Sequence, residues 1–241
     1  MRTFAIALLV LVAAGCTGDD DPPTASDQEV AIYLVRDGKV APVRRAVGAD
    51  TAELASATLQ SLTDGPNEDE RGDGYATSVP SGDTPLVEVE QGTATVDLPQ
   101  DSALSALASA QVVHTLTQFP DIERVVIESG KPMTRKAFES TAPQILIESP
   151  LDGDTVSSPI RLRGTANVFE ATVSIEVRDE TGTVVLEAFT TATSGTGTRG
   201  TFDTNLVLPA ASGTMTITAF ESSAKDGKPL HAVDVQVAVA P

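Results

Sequence analysis

One cysteine, no tryptophan, two tyrosines and two histidines are all that 241 residues hold of the side chains that most often carry redox, metal and stacking chemistry. A lone thiol closes no intramolecular disulfide, so the chain must fold on buried apolar surface, for which it is long enough. His114 and His231 lie far apart, with no Cys or second His at ligand spacing, so no zinc site is expected. His114 also falls on the solvent side of its helix by angular position. No G-x-S-x-G elbow surrounds a serine, and the Asp-Gly turns lack the D-x-D-x-D-G run of a calcium loop. No catalytic residue, metal or cofactor is expected. Positive charge is scarce too: 16 Lys and Arg stand against 34 Asp and Glu, a net charge of −18. That balance excludes a nucleic-acid partner, whose phosphates need clustered cations. Long apolar runs are limited to residues 4–14, too short to span a bilayer as a helix.

That short run is informative. It follows Arg2 and ends in small residues before Cys16, the pattern of a secretory leader over residues 1–15. The stretch Ala13-Ala14-Gly15-Cys16 resembles the lipobox of bacterial lipoproteins, although Ala13 stands where that family most often has Leu. The resemblance implies cleavage before Cys16 and a diacylglyceryl group on its thiol. Residues 16–28, with TGDDDPPTASDQ after the cysteine, are polar and proline-bearing, as expected of an acidic tether. The protein is thus expected to be extracytoplasmic and held to the bacterial cell membrane through lipid on Cys16.

Residues 29–130 read as one α+β domain. EVAIYLVR alternates, Asp37-Gly38 is a hairpin turn, and KVAPVRRAV returns as a strand that Pro42 marks as an edge. Asp50 with Glu53 suggests a capping box, and Ala52, Ala55, Leu59 and Leu62 recur at helical spacing. A polar loop leads to a second hairpin about Gln91-Gly92, a helix over 102–119 and a strand over 122–128. The order β-β-α-β-β-α-β implies a sheet with both helices on one face. IYLV, LQSLTDGP, SVPSGD, GTATVDL and QVVHTLTQFP, in this order, resemble the GerMN domain of bacterial sporulation and germination proteins. The resemblance implies a mixed sheet with two helices, a role in association with other proteins, and no catalytic residues.

Residues 131–143 read as a proline-punctuated linker. Beyond it, residues 144–241 give about seven strands rich in Val, Ile and Thr, separated by Gly, Pro and Asp turns, as in an immunoglobulin-like β-sandwich. The Cys-Trp-Cys core of antibody domains is absent. ESPLDGDTVSSP, GTANVFEATV, RGTF and FESSAKDGKPL resemble the immunoglobulin-like domain that accompanies GerMN modules in germination and envelope proteins.

The expected function is a non-enzymatic adaptor of the cell envelope whose partner is an envelope or membrane protein. Lys39, Arg44 and Arg45 reverse the prevailing charge at the Pro42 edge, where they could steer an acidic partner or merely discourage aggregation. Tyr75, in the polar loop, is the one aromatic expected to be exposed. An envelope-glycan or small-solute binder is the alternative if a concave site surrounds Tyr75. A hydrolase using a carboxylate pair is a third reading, set back by the shortage of aromatic faces for sugars.

Overall fold

The computed structural model describes residues 27–50, 53–82, 85–98, 104–209 and 212–240; Cys16, the leader and residues 17–26 of the tether lie outside them. The first domain opens with β1 (Asp27–Arg36) and β2 (Lys39–Gly48), an antiparallel hairpin turning on Asp37 and Gly38. Both turn residues have positive φ (53° and 71°), the geometry an Asp-Gly pair supplies. Then come α1 (Leu54–Thr63), α2 (Glu68–Gly72), β3 (Leu86–Glu90), β4 (Thr93–Asp97), α3 (Ala106–Leu116) and β5 (Arg124–Ile127). The strands form two sheets, the β1-β2 hairpin and a mixed β3-β4-β5 sheet in which β4 and β5 run parallel. α1 and α3 pack on each other and on the hairpin, and reach the second sheet at β3 and β5. The α+β class is as expected, but the single sheet is not: the five strands divide between two sheets that α1 and α3 both contact, and α2 is added where the sequence suggested only loop. Asn67 accepts the Glu70 N–H and Glu70 accepts the Asn67 N–H, so a complete capping box starts this short helix. At α1 the Asp50 carboxylate receives the Glu53 N–H, and the helix proper begins at Leu54.

On its β1 side the hairpin does not extend into a larger sheet because α3, the residues just after it and Ala76 seal that edge. In β1 the main chains of Ala31, Tyr33 and Val35 turn away from β2. Gln118 both donates to and accepts from Ala31, Thr115 Oγ1 accepts the Tyr33 N–H, and Gln111 Nε2 donates to the Tyr33 carbonyl. Val35 exchanges both bonds with Ala76. Buried main-chain groups need partners, and polar side chains of a helix supply them here. This explains why Gln111 and Thr115 are wholly buried.

The expected linker is folded. Met133 bridges to Val125, and Arg135–Thr141 form a 3-10 helix that packs on α3 with Phe138 buried. It covers the side of α3 that periodicity assigned to solvent. His114 is therefore 3% exposed rather than solvent-facing.

The second domain is a sandwich of two sheets. β6 (Ile145–Ser149), β7 (Thr155–Val156), β8 (Ile160–Ala166), β9 (Thr172–Asp179), β10 (Val184–Thr191), β11 (Gly200–Leu206), β12 (Gly213–Ser222) and β13 (Pro229–Val239) divide as β10-β9-β12-β13-β7 and β11-β8-β6. All seven expected strands are present, and β7 is a two-residue addition parallel to β13. Inward-facing Ile175, Val177, Ile217 and Val237 meet Ile147, Leu162 and Phe202 across the core. Gly164 sits where no side chain fits: a Cβ there would lie 2.2 Å from the Leu146 carbonyl and 2.6 Å from the Phe202 ring. Gly164→Ala is expected to cost about 1–3 kcal/mol through overpacking. Its urea midpoint tests this, and an unchanged midpoint would mean the strand can move aside.

Candidate functional site

The two domains are joined by a partly buried polar clamp. Arg135, in the 3-10 helix, donates from Nε to Thr117 Oγ1 (2.7 Å) and from Nη2 to the His114 carbonyl (3.0 Å), capping the C-terminal end of α3. Its Nη1 pairs with Glu148 of β6, and the Tyr33 hydroxyl donates to the same Glu148 oxygen at 2.9 Å. The Tyr33 ring lies 5.1 Å from the His114 ring and 5.3 Å from the guanidinium carbon of Arg135. Burial, followed by the Glu148 charge, raises the Tyr33 pKa well above the ordinary phenol value, so the hydroxyl stays a donor. Burial opposes the Arg135 charge, but Tyr33 and Glu148 outweigh it and hold that pKa above the usual arginine value. Apolar contact continues across the junction, since Leu146 and Leu151 belong to the first domain's core.

The three basic residues of the expected edge patch are each engaged within the chain. Arg44 forms a two-bonded pair with Asp154 of the second domain (3.0 and 2.8 Å), which raises its pKa against the effect of burial. Arg45 pairs with Glu70 and donates to Ser61 Oγ (3.1 Å) and to the Ser61 and Gly65 carbonyls (3.2 and 3.0 Å), fastening α1 and α2 to β2. Lys39 Nζ donates to the Ser140 carbonyl at 2.6 Å. They point to three different places and form no shared free patch. Tyr75 is a correction: it is 8% exposed, because α2 turns the loop inward. Its hydroxyl accepts from Arg36 (3.0 Å), and that guanidinium lies 4.8 Å from its ring centre. Burial raises the Tyr75 pKa and Arg36 partly opposes this.

Between the domains lies a cleft of about 900 Å³. Arg36, Asp37, residues 39–42, Asp73 and Tyr75 line one side, and residues 145–147, 151–153 and 232–238 line the other. Lys39 and Tyr75 thus share this cleft, whereas Arg44 and Arg45 do not line it. Among the described residues no group of His, Cys, Asp and Glu is arranged to hold a metal ion, and no helix is long and apolar enough to cross a membrane.

Sequence reasoning missed Arg36, Arg135, Glu148, Asp152 and Asp154. One signal was available: Ile145, Leu146 and Ile147 are apolar in succession, and a strand apolar on both faces is covered on both. Leu146 faces the first domain, and Glu148 shares that face.

No curated protein matches the chain in sequence. Among solved structures it is similar to the tandem GerMN domains of the sporulation protein GerM from Bacillus subtilis, at 15% identity and a TM-score of 0.37. That similarity covers 76% of this chain, which spans 62% of the other's length. It is also similar to CopC from Methylosinus trichosporium OB3b, at 23% identity and a TM-score of 0.27, over 40% of this chain and 94% of that one. In sequence, residues 23–134 match the family described as sporulation and spore germination, and residues 144–228 match the immunoglobulin-like domain of bacterial spore germination. The chain therefore carries two domains of sporulation and germination families, a GerMN-type domain over residues 23–134 followed by a germination-type immunoglobulin-like domain over residues 144–228.

Proposed function

We propose that this protein is a non-enzymatic adaptor lipoprotein of the bacterial cell envelope, anchored outside the cytoplasm by lipid on Cys16, that binds an envelope or membrane protein. The observation that carries the reading is the clamp: Tyr33, Arg135 and Glu148 fix two small domains to each other while a cleft between them stays open. A fixed frame with an open cleft presents one surface in a constant geometry, as recognition requires. The glycan or small-solute alternative gains from the presence of Tyr75 in the cleft. It loses more, because Arg36 covers the ring and leaves no flat aromatic face for a sugar.

The test is a photo-crosslinking residue placed at Pro42, in the cleft, or at Glu187, on β10 away from it, in cells making the tethered protein. Discrete protein adducts from position 42 and none from 187 are expected. Adducts from neither position would overturn the adaptor reading. The anchor has its own check: alkyne fatty acid should label the protein and fail to label Cys16→Ser.

A further inference from the structure

The long walls of the cleft include two strand edges, and the chain already uses one of them to hold an extended segment. Along β13, Gln236 donates its N–H to Asp152 Oδ1 (2.7 Å) and accepts from the Gly153 N–H (2.9 Å). Ala238 donates to the Asp154 carbonyl, and β7 continues the pairing in parallel. Residues 152–156 thus lie on the side of β13 away from β12. An antiparallel ladder turns main-chain groups to alternate sides. Since Gln236 faces away from β12, Asp234, two residues earlier in the same register, does so too. Among the described residues its N–H and carbonyl have no partner on that side, and residues 232–238 line the cleft.

The facing wall has the same character. Tyr33 gives both its main-chain groups to α3, so it is turned from β2, and its cross-strand partner Pro42 is turned outward from the hairpin. Val40, opposite Val35, is turned the same way. Pro42 offers no N–H and leaves a carbonyl, which is how proline is tolerated on an edge. The cleft therefore continues the edge of β13 from the place where residues 152–156 leave it.

Charge decides the occupant. Asp37, Asp73, Asp152 and Asp234 line the cleft against Arg36 and Lys39. Arg36 donates to Tyr75 and Lys39 to Ser140, while Asp152 accepts from Gln236 and Asp234 from Thr218; these neutral partners cancel no charge, and four carboxylates against two cations leave the cleft net negative. An added strand that carries Lys or Arg is met by carboxylates, and an acidic one is repelled. We infer that the cleft binds an extended, lysine- or arginine-bearing segment of the partner protein as a strand added to the edge of β13, an inference that rests on the adaptor reading.

The probe is a fluorescein-labelled, end-blocked Lys-Val-Lys-Val-Lys-Val peptide, titrated by anisotropy into the purified full chain. It is compared with its Glu-for-Lys counterpart and with a version N-methylated at alternate residues. The lysine peptide is expected to bind at least about tenfold tighter than either. Hydrogen exchange at the Asp234 amide should slow on binding. Asp37→Asn with Asp73→Asn should narrow the Lys-over-Glu preference and leave thermal stability unchanged. Equal affinity for the Lys and Glu peptides, full binding of the N-methylated peptide, or no binding of any peptide would overturn the inference. If those results came with protein adducts from position 42 in cells, the adaptor reading would stand and only the strand-addition mode would fall.

Discussion

Glu148→Ala is expected to lower the unfolding free energy by about 3 kcal/mol and to separate the unfolding of the two domains. One oxygen of Glu148 receives both the Arg135 guanidinium and the Tyr33 hydroxyl. Its removal leaves a largely buried cation with only neutral acceptors, the His114 carbonyl and Thr117 Oγ1. It also leaves a buried phenol without an acceptor. Breaking one side of a buried pair costs about 3–5 kcal/mol, and because Arg135 and Glu148 keep 27% and 24% of their side-chain surface exposed, the lower end applies. For a chain of this size that is a fall in Tm of roughly 6–12 °C. Glu148→Gln keeps an acceptor and should lose about half as much. Tyr33→Phe keeps the ring against His114 and should lose about 1 kcal/mol. Urea melts followed separately by each domain's signal check this. A loss below about 1 kcal/mol in Glu148→Ala, with one shared transition, would mean that apolar contact alone joins the domains.

The order of elements was legible wherever burial is one-sided. Strands β8, β9 and β12 alternate cleanly, and the Asp37-Gly38 and Gln91-Gly92 turns have the positive φ values their residues imply. What was illegible depends on partners distant in sequence. The β1 stretch reads as one buried face, yet every residue from Val30 to Val35 is buried, because helices and the second domain cover both sides. Gln111, Thr115 and Gln118 look like the polar face of a helix. They point inward because their amides and hydroxyl replace a missing neighbour strand of β1. The candidate site was misread for the same reason. Arg44 and Arg45 look like free charge along an edge, and nothing local announces Asp154, 110 residues on, or the capping-box Glu70 as their partners. Tyr75 looks like a loop residue until α2 is seen to form.

His114 is the residue on which these distant contacts have the largest consequence, since lowering the pH should destabilise the protein through it. The imidazole lies between the Tyr33 ring and the Arg135 region, and neither ring nitrogen has a hydrogen-bond partner among the described residues. Burial, then the Arg135 and Arg199 charges, push its pKa from 6.5 down to about 3. The folded chain therefore refuses a proton that the unfolded chain accepts. Stability is unaffected by His114 above pH 6.5, falls as the pH drops through the interval to about 3, and loses nothing more through it below that. The full loss is on the order of 5 kcal/mol, and between pH 7.5 and 4.5 it is about 2–3 kcal/mol. His114→Leu removes the titration and, because no hydrogen bond is lost, should be as stable as the parent at pH 7.5 or more so. Carboxylates titrate in both proteins, so the difference in unfolding free energy between parent and variant, measured in urea at the two pH values, isolates the histidine. The difference should grow by about 2–3 kcal/mol in favour of the variant at pH 4.5. Parallel pH profiles would mean that the folded protein protonates His114 freely, which would require the 3-10 helix over it to open, and the packing of Arg135–Thr141 on α3 would then not persist in solution.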